Sequence, residues 1–421
     1  MRFSIILCTA VAVLVCAASP QTATKAPPEP KSATVPITLD HDRVIIDVYV
    51  SLPDGSTKRI RAWVDNGDAD LWMSQRVAGW MGLSISCDGQ ICTGRATPQV
   101  VSLEVSVGGM KIFLPAMRRI WVPIGDSGMV PGMSAEIKIP SSVLRNYDVL
   151  VDFPDREFSI GQPGSLNFKG VSSKMLVDAS TGFIQIPSKI ENKKYNLGLD
   201  LGSSISFLPD DLFGQLAIAH PNWPHMTGAV GAANMWGLPD EPKWRLMRLD
   251  RVQYGPLFLT DAPVVEFSKD YGSWFGKRAE VPTAGLLGAE ALMNYRVGLD
   301  YAHSMVYFDI GRTFKFPDFD VVGLILRPED DTRFTILGVA DFEGKSSVPE
   351  VQAGDHLVAV DDIPVPDSTM GQVWSLLEGS PGQERKLTIE RKGKHFLVVA
   401  KVQHFLGDSE EDQSKKSGKK K

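Results

Sequence analysis

Trp63-Val64-Asp65-Asn66-Gly67 and Gly198-Leu199-Asp200-Leu201-Gly202 are near-copies of one another in a chain of 421 residues. Each closes an apolar, strand-like run with Asp, a variable residue and Gly, and a short polar stretch follows. A second echo lies downstream of each. Asn146-Tyr147-Asp148-Val149-Leu150-Val151-Asp152-Phe153 returns as Asn294-Tyr295-Arg296-Val297-Gly298-Leu299-Asp300-Tyr301, and both segments run on to an Ile-Gly, at Ile160-Gly161 and Ile310-Gly311. Two markers recurring in the same order at comparable separation indicate a duplicated domain. A duplicated lobe with one Asp-x-Gly each brings two carboxylates face to face on a pseudo-twofold axis.

The surroundings read as strands and turns. Val35–Leu52 is a strand-rich lead-in, Pro53-Asp54-Gly55-Ser56 a turn, and Lys58–Asp65 the returning strand that delivers Asp65. Val100–Val107 alternates apolar and polar residues, and Asp148–Phe153 pairs with Glu157–Ile160 around Pro154-Asp155. The second copy repeats the plan, with Lys194–Asp200 as its strand and Asp210–Ala217 as a short helix. Few segments suit long helices, so the expected class is mainly β: two tandem barrel lobes, at 35–165 and 166–316. From Val321 the character changes. Residues 317–406 form a further unit, a β-sandwich with one amphipathic helix over Ser368–Glu378, for which Ser368 is the expected N-cap.

Composition sets outer limits. A hydrophobic share of 43%, a charged share of 22% and a net charge of -6 describe an ordinary globular chain with no basic stripe for nucleic acid. Residues 1–18 read as an export signal: Arg2, an apolar run from Ile5 to Val15, then small residues. That run is too short to span a membrane, so no transmembrane span is expected in the mature chain. Cys16 also allows a lipid-anchored reading, against which Val15 stands because the preceding residue is normally small. Residues 19–34 are a Pro-, Ala-, Lys- and Thr-rich tether, and 407–421 a charged tail expected to be disordered. Export to the periplasm or beyond places Cys87 and Cys92 where a pair this close closes as a disulfide. The alternative, a zinc half-site, lacks a second Cys or His pair. No cofactor or metal is expected.

A duplicated hydrophobic-Asp-x-Gly with Ala284-Gly285-Leu286-Leu287-Gly288 before a helical turn resembles the pepsin-like and retropepsin-like aspartic peptidases, the short lobes being similar to the bacterial retropepsin-like branch fused in one chain. The segment from Val321 to about Val402 resembles a PDZ domain, with Gly323, Leu324, Ile325 and Leu326 as its carboxylate-binding loop. The resemblance implies Asp65 and Asp200 as a catalytic dyad, supported by Asn66, Gly67, Gly202 and Ser203. It also implies a substrate flap, for which Gly228 and Gly231 in Thr227–Gly231 are the second-lobe candidates and the Cys87–Thr93 loop the first-lobe candidate. Peptides or proteins are the implied substrates, and a protein C-terminus the implied occupant of the PDZ groove.

The chemistry has its own logic. Two Asp side chains about 3 Å apart do not both ionise readily, so one keeps a proton, and the pair divides into acid and base. The sequence departs from the family at Asn66 and Leu201, where a hydroxyl residue is usual, and at Asp68. Lys138-Ile139-Pro140 aligns with Leu286-Leu287-Gly288 as a degraded counterpart. Two functions stay open at this point: an exported aspartic endopeptidase with PDZ-assisted substrate recognition, or a catalytically degenerate peptide-binding or scaffolding protein on the same fold.

Overall fold

A computed structural model describes residues 29–88, 91–95, 103–114, 120–124, 129–268, 273, 275–311 and 319–407. The expected signal segment, most of the tether, the charged tail and the start of the Val100–Val107 run lie outside the described residues. The fold is mainly β, as the alternation of apolar and polar residues predicts.

The echo segments meet. Asp148–Asp152 pairs antiparallel with Tyr295–Asp300, with Asp148 opposite Asp300, Leu150 opposite Gly298 and Asp152 opposite Arg296. This register is self-consistent under a twofold: each residue of one copy faces the counterpart of its own partner's equivalent. Flanking strands extend the pairing outward. Glu157–Gly161 and then Ser32–Asp40 lie on one side, and Met305–Ile310 and then Val171–Lys174 on the other. The six strands form a bridge between the lobes, and the aliphatic side chains Val149, Val151, Val297 and Leu299 beneath it are fully buried.

Each lobe then builds one hairpin toward the axis. Arg43–Ser51 pairs with Thr57–Asp65, and Ile184–Ile190 pairs with Lys193–Leu199. A short parallel strand braces each: Ile137–Pro140 beside the first, Leu286–Leu287 beside the second. Pro140 stands opposite Asp65 in that register, so Lys138-Ile139-Pro140 is a formed strand and not a degraded one. The core that joins the two lobes is continuous.

The C-terminal unit carries the strand order Leu324–Pro328, Phe334–Val339, His356–Val360, Glu384–Arg391, Lys394–Lys401. Its helix covers Met370–Leu377, and the N-cap is Thr369, one residue later than expected. Thr369 wins because Gln372 stands three residues on, and the two close a reciprocal capping box that Ser368 lacks. Met370, Val373, Trp374 and Leu377 are buried. Their core merges with Ala229, Val230, Ala233 and Met235 of the second lobe, so this unit is docked on the body. The helix start is held by the first lobe: Met370 N–H donates to the Gly132 carbonyl (2.7 Å) and Gly371 N–H to Asp40 Oδ1 (3.0 Å). A buried carboxylate at a helix N-terminus is favourably placed against the dipole.

Candidate active site

Asp65 ends its strand at the axis, and Asp200 follows its strand from the other side; both are buried, at 4% and 6% exposure. Each Asp-x-Gly turns on itself. Gly67 N–H donates to Asp65 Oδ1 (2.9 Å), and Gly202 N–H (2.8 Å) and Ser203 N–H (3.1 Å) donate to Asp200 Oδ1. The glycines are required by the partner's carboxylate. A Cβ on Gly67 would lie 2.2 Å from Asp200 Cγ, and one on Gly202 2.5 Å from Asp65 Oδ1. Each carboxylate is therefore seated on the other lobe's glycine.

Asn66 does the work that a hydroxyl pair was expected to do. Its side-chain amide, fully buried, donates from Nδ2 to the Leu199 carbonyl (2.8 Å) and accepts at Oδ1 from the Leu201 N–H (2.7 Å). One amide thus spans both sides of the second loop, so the apolar Leu201 side chain leaves no gap in the brace. Ser203 Oγ donates to the Ile205 carbonyl (2.8 Å) and lies 3.3 Å from Met235 Sδ.

Three buried charged residues stand on the loops and strands around this site. Lys138, 2% exposed, holds Nζ 3.5 Å from Asp65 Oδ2 and 2.5 Å from Asp68 Oδ2. Arg43, also 2% exposed, donates to the Met235 carbonyl and places its guanidinium 4.4 Å from the Trp236 ring centre. Glu241 accepts from Asn234 Nδ2 and from Trp236 N–H (2.9 Å). An Arg inside the run Arg43-Val44-Ile45-Ile46 was the available signal for a buried cation. The alignment of Lys138 with Leu286 marked a lysine in a strand position, but its partners Asp65 and Asp68 are about 70 residues away.

Burial drives the titration. Asp200 is pushed up to about 8, first by loss of water and then by the charge of Asp65. Asp65 rises to about 6, because burial outweighs the pull of Lys138. Burial likewise lifts Glu241 to about 7, lowers Arg43 to about 10 and lowers His41 to about 3. His41 is therefore neutral, with Nε2 donating to the Asn234 carbonyl (2.9 Å).

A cavity of about 420 Å³ opens beside both aspartates. Its walls are apolar and aromatic: Trp63, Trp72, Met129, Val130, Trp236 and Phe275. Among the described residues, no group of three or more His, Cys, Asp or Glu is arranged to hold a metal ion.

The other expected sites fall elsewhere. Gly228 and Gly231 are buried, with Gly228 against Ala340 and Ile325 and Gly231 against Phe319. They lie under the C-terminal unit and not over the carboxylates, and Trp236 of the same segment is the residue that reaches the cavity. Leu324, Ile325 and Leu326 are fully buried. The outward edge of their strand is already taken: Leu326 N–H donates to Asn234 Oδ1 and its carbonyl accepts from Asn234 Nδ2, both at 2.9 Å. The expected peptide groove is thus capped by a side-chain amide of the same chain. Cys87 and Cys92 are bonded, as opposed residues on the paired strands Ser84–Asp88 and Ile91–Arg95.

No protein-family model matches this chain, and no curated protein matches it in sequence. Among solved structures, it is similar to the aspartic proteinase from Irpex lacteus, at 12% identity and a TM-score of 0.41, over 67% of this chain and 98% of that one.

Proposed function

We propose that the chain is an exported aspartic endopeptidase in which Asp65 and Asp200 hold and activate a water against an extended peptide. The observation that carries this reading is the reciprocal seating of two buried carboxylates on each other's Asp-x-Gly loops. Two such groups share one proton because a second negative charge in a buried site is unfavourable. One member then takes a proton from water while the other gives one to the peptide carbonyl, with no covalent intermediate. The aromatic walls of the adjoining cavity suit apolar side chains flanking the cleaved bond.

The C-terminal unit reads as a PDZ-type module, and its capped edge gives it a bracing role on the second lobe. Export fits the disulfide, and no helix among the described residues is long and apolar enough to cross a membrane. Peptide-library cleavage by the purified chain, from acid to mildly alkaline pH, tests the assignment. Asp65→Asn and Asp200→Asn should each abolish turnover, and a statine-type mimic should inhibit. Cleavage that survives both substitutions overturns the dyad, and tight peptide binding without turnover turns the reading to a scaffolding protein.

A further inference from the structure

Lys138 is a buried cation that two shared-proton carboxylates do not need. Its position corresponds to Leu286 in the other lobe. Lys138 stands opposite Trp63 and Leu286 opposite Gly198, each two residues before its aspartate. Leu286 is buried at 2% exposure, so an apolar side chain fits this frame. A buried ammonium is a costly substitute unless it is paired at close range. Here the pairing is one-sided. Lys138 reaches Asp65 and Asp68, with the Trp63 and Trp72 ring centres 5.6 and 5.4 Å from Nζ. No ion pair among the described residues reaches Asp200, whose Oδ1 accepts only neutral backbone N–H groups.

We propose that Lys138 is a positioning residue that fixes Asp65 as the ionised base and leaves the shared proton on Asp200, so that the base stays ionised to lower pH than its burial alone would allow. The inference rests on the peptidase reading. The neighbouring charges agree with it. Asp68 opposes Lys138 by raising Asp65, and Arg43, on the strand paired with that of Asp65, feels the charges of Asp40, Glu241 and both aspartates alike. Tyr254, packed behind the second loop, donates to the Gly198 carbonyl (3.1 Å) and stays un-ionised through burial. His41 is neutral. Lys138 is the cation nearest the pair, and it lies on the Asp65 side.

The step balances. Water gives a proton to Asp65 as its oxygen bonds to the carbonyl carbon. The carbonyl π pair moves onto oxygen, which takes the proton of Asp200. The gem-diol then breaks its C–N bond: nitrogen takes the proton now on Asp65, and a gem-diol hydroxyl returns one to Asp200.

The test is the pH profile of kcat/KM for the whole chain. Lys138→Met should move the acid limb upward by roughly 1–3 pH units, the usual effect of losing an adjacent cation. Asp68→Asn, which removes an adjacent anion and preserves shape, should move the same limb downward. Opposite shifts are the signature, because a merely structural role would lower activity at every pH. An unmoved limb, or shifts in one direction, overturns the proposal. A second readout needs no turnover: carbon NMR titration of the Asp65 carboxyl in an Asp200→Asn background, with each of the two substitutions added. If the parent cleaves nothing, the peptidase reading fails while this titration still decides the role of Lys138. If Lys138→Met does not fold, Lys138→Gln, which removes the charge and keeps a polar group beside Asp68, supplies the upward shift to be compared with Asp68→Asn.

Discussion

Replacing Asn66 with alanine isolates the brace that joins the two lobes at the carboxylates. The substitution removes two buried hydrogen bonds, of 2.8 and 2.7 Å, and strands the Leu199 carbonyl and the Leu201 N–H in a buried site. Each stranded backbone group costs about 1–3 kcal/mol, so the expected loss is about 2–6 kcal/mol. For a chain of this size that corresponds to a fall in Tm of roughly 2–7 °C. Urea unfolding and thermal scans of Asn66→Ala against the parent give the number. Asn66→Asp divides it: the carboxylate still accepts from Leu201 N–H but cannot donate to the Leu199 carbonyl, and it adds a charge beside two others. Asn66→Thr restores a group able to donate and accept at once, and should recover part of the loss. A stability of Asn66→Ala within about 1 kcal/mol of the parent, the typical scale for an ordinary substitution, would refute the brace.

Further outcomes follow from the same geometry. Gly67→Ala and Gly202→Ala put a methyl 2.2 Å from Asp200 Cγ and 2.5 Å from Asp65 Oδ1, so each should lower kcat/KM by roughly 10²-fold through displaced carboxylates, read in a peptide-cleavage assay. Asn234→Ala leaves both backbone groups of Leu326 unpaired and should destabilise the chain by about 2–6 kcal/mol, with hydrogen exchange rising first across Leu324–Pro328. Stability should also depend on pH. The folded-state pKa values of Asp65 and Asp200 lie above the ordinary 3.8, so the folded chain retains protons that the unfolded chain has released. Their contribution is therefore full below about pH 4 and is lost as pH rises toward about 8. Asp200→Asn should flatten that decline in denaturant titrations across the range, and an unchanged slope would count against the burial of this charge.

The duplicated markers made the class of fold legible. Asp-x-Gly and Asn-Tyr repeat at fixed order, and the second marker forms the strands that pair across the axis. The hairpin that delivers Asp65 was equally plain, because Pro53-Asp54-Gly55-Ser56 separates two apolar runs. What stayed hidden was long-range. Asn66 and Leu201 stand where a hydroxyl is usual, and the sequence does not say that one amide at Asn66 bonds the backbone at both Leu199 and Leu201. Lys138 looked like decay because a lysine in a buried strand has meaning only once Asp65 and Asp68 are seen around it. Asn234 bonds Leu326, 92 positions away, and no local pattern encodes that pairing. The second-lobe glycines Gly228 and Gly231 show the same limit: glycines suited to a free loop also suit a backbone pressed closely against another unit.

The antiparallel pairing of Asp148–Asp152 with Tyr295–Asp300 would serve equally well between two separate copies of one lobe. In such an assembly a single gene writes both halves, and every mutation lands twice. A lysine beside one carboxylate would then stand beside the other as well, and neither would be distinguished. Carrying both halves on one chain removes that constraint. Each side can drift on its own, so lysine occupies one position and leucine its mirror image. Fusion in this sense is a licence for inequality. It allows two residues born identical to acquire different duties while the backbone keeps the memory of their common origin.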